Sequence, residues 1–287
     1  MRYRFPRFPG GKTKAVTFSY DDGVTHDIRL AQICNRFNIK CTFNLNAAWI
    51  ANEKGSNRMS AEEIQEHILD AGHEIAVHGN YHKALGLCST VDGIKDVLDC
   101  RIALEQKFNR MVRGMAYADT GITYMTNGAE YSNIRRYLQD LGILYSRTLG
   151  GDNDLFRLPA DWYAWMPTAH HTNPNIFNWI DAFLALNPDE GYAARRYPRL
   201  FYLWGHSYEF NNNQNWDLLE AICEKLGGHD DIWYATNMEI REYLQAYDSL
   251  VFSADATKVY NPTLMTVWFL ADGNPYTVEP GQTIVIE

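Results

Sequence analysis

At 287 residues and 46% hydrophobic, the chain can bury a full core, enough for one large α/β domain and a small appendage. A formal charge of -9 leaves no basic footprint, which argues against nucleic acid and anionic membrane surfaces as partners. No apolar run has signal-peptide or membrane-span length, and the five cysteines are odd in number and unclustered, so the expectation is a soluble, cytoplasmic protein with reduced, mostly buried thiols. The 18 Tyr and 8 Trp suit a cleft that stacks on sugar rings as well as they suit an aromatic-rich core.

The run Ala15 to Gly23 is rich in β-formers and ends in Asp21, Asp22 and Gly23, as does a buried strand whose carboxyl end opens into a site. Neighbours on an extended strand point to opposite sides, so the two carboxylates can share a site only if the chain turns there, which Gly23 permits. Alone, the tripeptide would read as a solvated turn. Helical spacing follows over Thr25 to Phe37, and Ile39 to Leu45 alternates like a strand. Ser60 with Glu63 forms a capping box opening a helix to about Ala71, which Gly72 ends. Glu74 to Val77 is a short strand ending at His78-Gly79-Asn80-Tyr81-His82.

The alternation continues through a helix from Val91 to about Phe108, a strand near Met111 to Ala116, a helix near Ser132 to Leu141 and a strand near Ile143 to Ser146. Trp162 to Trp165 and Leu200 to Trp204 are further strand candidates, Trp216 to Leu226 is a helix, and Tyr234 to Tyr247 reads as a strand end and helix. Such repetition predicts a parallel α/β barrel with functional residues at the carboxyl ends of its strands. From Leu250 onward the chain has strand formers punctuated by turn pairs, which predicts a small antiparallel sheet. The expected division is a barrel over 1–249 and a β appendage over 250–287.

Asp22, His78 and His82 make a three-ligand set with open positions for water, as in catalytic zinc and related divalent sites. A lone His-x-x-x-His is weak; coupled to two carboxylates at an earlier strand end it gains force. His73 is a competitor, but it precedes its strand and is expected at the far end of the barrel.

These residues resemble the polysaccharide deacetylases, carbohydrate esterase family four, whose first motif is Thr-Phe-Asp-Asp-Gly and second His-Ser/Thr-x-x-His. Here the first stands as Thr17-Phe18-Ser19-Tyr20-Asp21-Asp22-Gly23, with two residues inserted, and the second has Gly79 in place of the hydroxyl residue. The resemblance implies a distorted (β/α) barrel of seven or eight strands over about residues 12 to 245. The third motif, Arg-x-Pro-Tyr/Phe, is similar to Arg113-Gly114-Met115-Ala116-Tyr117, without the proline and with the aromatic one place late; it implies that Arg113 orients the base carboxylate and that the backbone near Tyr117 helps hold an oxyanion. The fourth, an Asp near an aromatic, could be Asp161-Trp162, with Asp152 and Asp154 also in the neighbourhood. The fifth, Leu-x-x-His-Ser/Asp, is similar to Leu203-Trp204-Gly205-His206-Ser207. Outside the motifs, His170 and His171 follow a strand candidate and could bind substrate or form a solvated loop pair; Glu209 could face the cleft.

The resulting expectation is a metal-dependent hydrolase that removes acetyl groups from an N-acetylated sugar or polysaccharide. It would hold one divalent ion, zinc before cobalt, nickel or manganese, with Asp21 as general base and His206 as general acid. Tyr117, Asp161, Trp162, His170, His171 and Glu209 are candidates for substrate binding. The alternatives are an amidase acting on another small C–N substrate and a carbohydrate-binding barrel without turnover.

Overall fold

The computed structural model describes residues 3–151, 155–190 and 196–287. The candidates Asp152 and Asp154 lie outside the described residues. In chain order, β1 (Arg4–Arg7) and β2 (Lys14–Asp21) lead into α1 (His26–Arg36), β3 (Cys41–Leu45), α2 (Ala61–Ile64, continued by a π turn over Gln65–Leu69), β4 (Glu74–Val77), α3 (Thr90–Phe108), β5 (Gly114–Ala116), α4 (Tyr131–Asp140) and β6 (Tyr145–Arg147). Then come β7 (Ala169–His170), α5 (Ile176–Leu184), β8 (Arg199–Gly205), α6 (Ser207–Asn212), α7 (Trp216–Leu226), β9 (Ile232–Tyr234) and α8 (Asn237–Asp248). The short strands β10 (Val251–Phe252), β11 (Lys258–Tyr260), β12 (Val267–Ala271), β13 (Asn274–Val278) and β14 (Thr283–Val285) follow.

Strands β6-β5-β4-β3-β2-β8-β7 pair in that order, all in parallel, and β9 pairs with the first residues of β2. The sheet curls until its edges nearly meet. The seam is closed by one stretch: the Trp165 N–H donates to Ser146 at 3.0 Å and the Thr168 N–H to Tyr202 at 2.8 Å, which joins β6 to β8. The fold is a distorted (β/α) barrel. Trp162 to Trp165, expected as a strand, is a 3-10 turn over Trp162–Ala164, with only Trp165 bridged to Arg147.

Strand periodicity divides β2 between two environments. Val16, Phe18 and Tyr20 join the apolar cluster beneath the helices, with Leu30, Ile33 and Cys34 of α1. Ala15 belongs to the second cluster, with Phe8, Tyr145, Trp165, Leu200 and Tyr202. Thr17, Ser19 and Asp21 share the Ala15 face, so the lumen is apolar at its amino end and polar toward Asp21. Cys34, Cys41, Cys100 and Cys223 are buried and none of the five cysteines is disulfide-bonded. Among the described residues no helix is long and apolar enough to cross a membrane.

The expected single sheet over 250–287 is two three-stranded antiparallel sheets, β10-β11-β14 and β1-β12-β13. The second recruits β1, so the expected 1–249 and 250–287 units share a strand. Pro6 lacks an N–H and is tolerated because β1 is an edge strand. Tyr243 of α8 joins the parts: its hydroxyl donates to the Arg7 carbonyl at 2.5 Å and accepts from the Trp268 N–H at 3.0 Å. Replacing Tyr243 by Phe strands both groups and is expected to lower the unfolding free energy by about 1–3 kcal/mol. Urea denaturation checks this, and an unchanged midpoint would refute the joint.

Candidate functional site

The first carboxylate owes its position to strand register. Asp21 pairs with Asn44 across β2 and β3, and the Asn44 amide donates to Asp21 Oδ1 at 2.8 Å. From β6, the fully buried Arg147 donates to Asp21 Oδ2 at 2.5 Å and lies over the Trp204 ring at 4.3 Å. Burial alone would raise the Asp21 carboxyl; the Arg147 guanidinium, aided by His78, His206 and the Asn44 amide, holds it below its ordinary value.

Asp22 reaches the same site because the turn begins on it: its φ is 84°, and Gly23 continues the turn at 64°. Its N–H stays in register with Asn44 O at 3.0 Å, while Arg58 donates to its carbonyl. His78, at the end of β4, has Nδ1 3.0 Å from the Ala116 carbonyl. A carbonyl only accepts, so Nδ1 carries the proton and Nε2 turns its lone pair inward. Nε2 of His78 and of His82 lie 3.8 and 3.5 Å from Asp22 Oδ1, and the three atoms sit within 4.8 Å of one another. Asp22 Oδ1 and His78 Nε2 are buried without a hydrogen-bond partner, each a deficit of about 1–3 kcal/mol. Two imidazoles, one carboxylate and these orphaned atoms fit a divalent ion.

Gly79 takes a left-handed φ of 74°, and a Cβ there would lie 2.4 Å from Asp96 Oδ2 of α3. Asp96 accepts the Tyr81 N–H at 2.9 Å, so its carboxylate braces this loop from the side a residue-79 side chain would occupy. Asn46 holds the other side, donating to the carbonyls of His78 at 2.6 Å and Gly79 at 3.1 Å.

His206 follows β8, with Nε2 3.9 Å from Asp21 Oδ2 and Nδ1 3.0 Å from Glu209 Oε1. Burial disfavours its charged form, but the Glu209 hydrogen bond and the Asp21 and Asp22 charges raise it above its ordinary value. The neighbouring Ser207 hydroxyl donates to buried Asp27 Oδ1 at 2.5 Å, tying the start of α6 to α1; burial pushes the Asp27 carboxyl well up. Glu209 also meets His170 and His171, Oε2 to Nε2, at 3.3 and 3.0 Å. The rings of Trp49 and Tyr208 lie against His82 and His206, centroids 5.8 and 5.1 Å apart.

The structure thus brings together Asp21, Asp22, His78, His82, His206, His170, His171 and Glu209. Four expectations need correction. Arg113 precedes β5, at the amino end of the barrel, and its Nε donates to Gly142 O at 3.1 Å; Arg147 holds Asp21 instead. Tyr117 is buried in the core, its N–H bonded to Arg147 O and its hydroxyl to Tyr163 O, both at 2.9 Å, so neither is free for an oxyanion. Asp161 is spent on Tyr131, Arg135 and the Tyr163 N–H. Trp162 packs on Arg241 and lines a cavity of about 1090 Å³ toward Arg199 and α8, which shares no residue with the site. The missed residues include Arg147, Asn44, Asp27, Trp49 and Tyr208. Arg147 lay one place past the expected strand Ile143 to Ser146, and asking which arginine ends a strand would have found it.

Fold and site define a (β/α)-barrel protein with an acidic and imidazole centre at the carboxyl ends of its strands. The family model described as polysaccharide deacetylase matches residues 9–145. The fold is similar to a crystal structure of a putative polysaccharide deacetylase from Mycobacterium smegmatis, at 21% identity and TM-score 0.58, over 85% of this chain and 94% of that one. It is also similar to the Xyl-CE4 domain of a multidomain xylanase from the hindgut metagenome of Trinervitermes trinervoides, at 15% identity and TM-score 0.52, over 82% and 92%. No curated protein matches the sequence. Residues 9–145 of the chain are thus similar to the polysaccharide deacetylase family.

Gly79→Ser combines a left-handed backbone with the overlap at Asp96 and is expected to cost at least about 1–2 kcal/mol. Pairing it with Asp96→Ala relieves the overlap but not the backbone cost. A Gly79→Ser protein as stable as the parent in urea would contradict this account of the loop.

Proposed function

We propose that this protein is a divalent-metal-dependent deacetylase that hydrolyses the amide of an N-acetylated sugar and releases acetate. The observation that carries the reading is the approach of His206 Nε2 to Asp21 Oδ2, 3.9 Å, beside the orphaned atoms of Asp22 and His78. Asp22, His78 and His82 would hold the ion; zinc suits this donor set, with cobalt, nickel or manganese as substitutes. When bound, such an ion polarises an acyl oxygen and lowers the pKa of a water.

The chain's own groups do the rest. Asp21 takes the proton of the attacking water, and Arg147 and Asn44 keep its carboxylate ionised and aimed. Glu209 holds Nδ1 of His206 so that Nε2 faces the reacting centre and delivers a proton to the departing nitrogen. An amine leaves poorly without that proton. The Trp49 and Tyr208 rings flank the site beside His82 and His206, with Arg58 over Trp49, and aromatic walls of this kind support a carbohydrate as substrate.

Acetate release from a panel of N-acetylated and O-acetylated sugars tests the proposal. Asp21→Asn and His206→Ala should each lower kcat by at least about 100-fold with metal content unchanged. A fully active Asp21→Asn protein would remove the base, and a parent that frees no acetate from any sugar would leave a binding barrel. Since Glu209 and Asp21 act to raise His206, its proton is present below its folded pKa and lost above it, so kcat should fall on the alkaline side. A kcat without an alkaline fall would remove His206 as the donor.

A further inference from the structure

We infer that His170, His171 and Glu209 form a second divalent-cation site of zinc type, separate in its ligands from Asp22, His78 and His82. Nε2 of each histidine and Oε2 of Glu209 lie within 4.8 Å of one another, with separations of 3.3 and 3.0 Å from the carboxylate oxygen. Two imidazoles and a carboxylate again favour a borderline divalent cation.

The ring of His171 is built in rather than left in a loop. It is 1% exposed and packs against Phe210 and Tyr20, ring centroids 4.1 and 5.8 Å away. The slot exists because residue 205 is glycine: a Cβ there would lie 2.0 Å from His171 Nδ1. Held in this way, His171 cannot swing out to a substrate. Its Nε2 nevertheless has no hydrogen-bond partner, nor does Glu209 Oε2, because the pair, although 3.0 Å apart, does not meet hydrogen-bonding geometry. A cation between them satisfies both atoms. His170 supplies the third ligand and the way in: its side chain is 23% exposed, and Nδ1 accepts the Thr172 N–H at 3.3 Å and lies 2.7 Å from the Thr172 hydroxyl, so coordination through Nε2 moves the ring proton to Nδ1, where the hydroxyl can accept it. Glu209 Oε1 remains with His206, so the second ion and His206 occupy different oxygens of one carboxylate.

The inference does not rest on the deacetylase reading, and zinc alone is the probe. The full chain, stripped of metal and titrated with Zn²⁺, should bind two ions, with His170→Ala and His82→Ala each binding one. A parent that binds a single ion, lost in His170→Ala and kept in His82→Ala, supports this site and removes the other. A parent that binds none, or one ion that survives His170→Ala, overturns the inference. Crystals of the parent grown with zinc should give an anomalous peak about 2.0–2.2 Å from the three ligand atoms. A sole peak at Asp22, His78 and His82 overturns it as well.

Discussion

Everything at the mouth of this barrel depends on a buried charge pair, Arg147 with Asp21. Both side chains are at most 1% exposed, and breaking such a pair by removing one partner costs on the order of 3–5 kcal/mol. The pair survives burial because it is embedded: Asn44 serves the other carboxylate oxygen and Trp204 faces the guanidinium. Three strands, β2, β3 and β6, are thereby tied at one height in the lumen. The loops bearing His78, His82 and His206 spring from that height, where the Ala116 carbonyl, the Trp49 ring and Glu209 hold the three imidazoles in turn.

The sequence made the barrel legible through its alternation of β-rich runs and helical spacing, with Glu74 to Val77 and Trp216 to Leu226 matching β4 and α7 end for end. Asp22, His78 and His82 could be read because their chemistry is concentrated at two strand ends. Arg147 could not be read in this way, since a single arginine past a short strand has no local pattern and acts through a partner 126 positions away. Arg113 misled for a related reason: motif likeness located it beside β5 but not at which end, and a three-residue strand separates the two ends of the barrel. Tyr117 and Trp162 look like site aromatics in sequence and are packing residues in space, a distinction that composition does not carry. The role of β1 was hidden by Pro6, which argues against a strand unless the strand is at an edge.

Glu209 shows how much one carboxylate can organise. It faces three imidazoles, and although burial acts to raise its carboxyl, His171 and His206 drive it far below the ordinary carboxylate range. A negative charge held at that point keeps His206 oriented through Oε1.

The pairing of Arg4 with Ala271 spans nearly the whole chain. On a ribosome, β1 emerges long before β12, so until β12 follows Phe5 lacks the strand it pairs with. The barrel between them can assemble from neighbouring units as they appear, whereas the sheet that joins the two ends waits for β12. Contacts of such long sequence separation form late and slowly. The interval before β12 arrives is therefore when a holdase chaperone has most to protect.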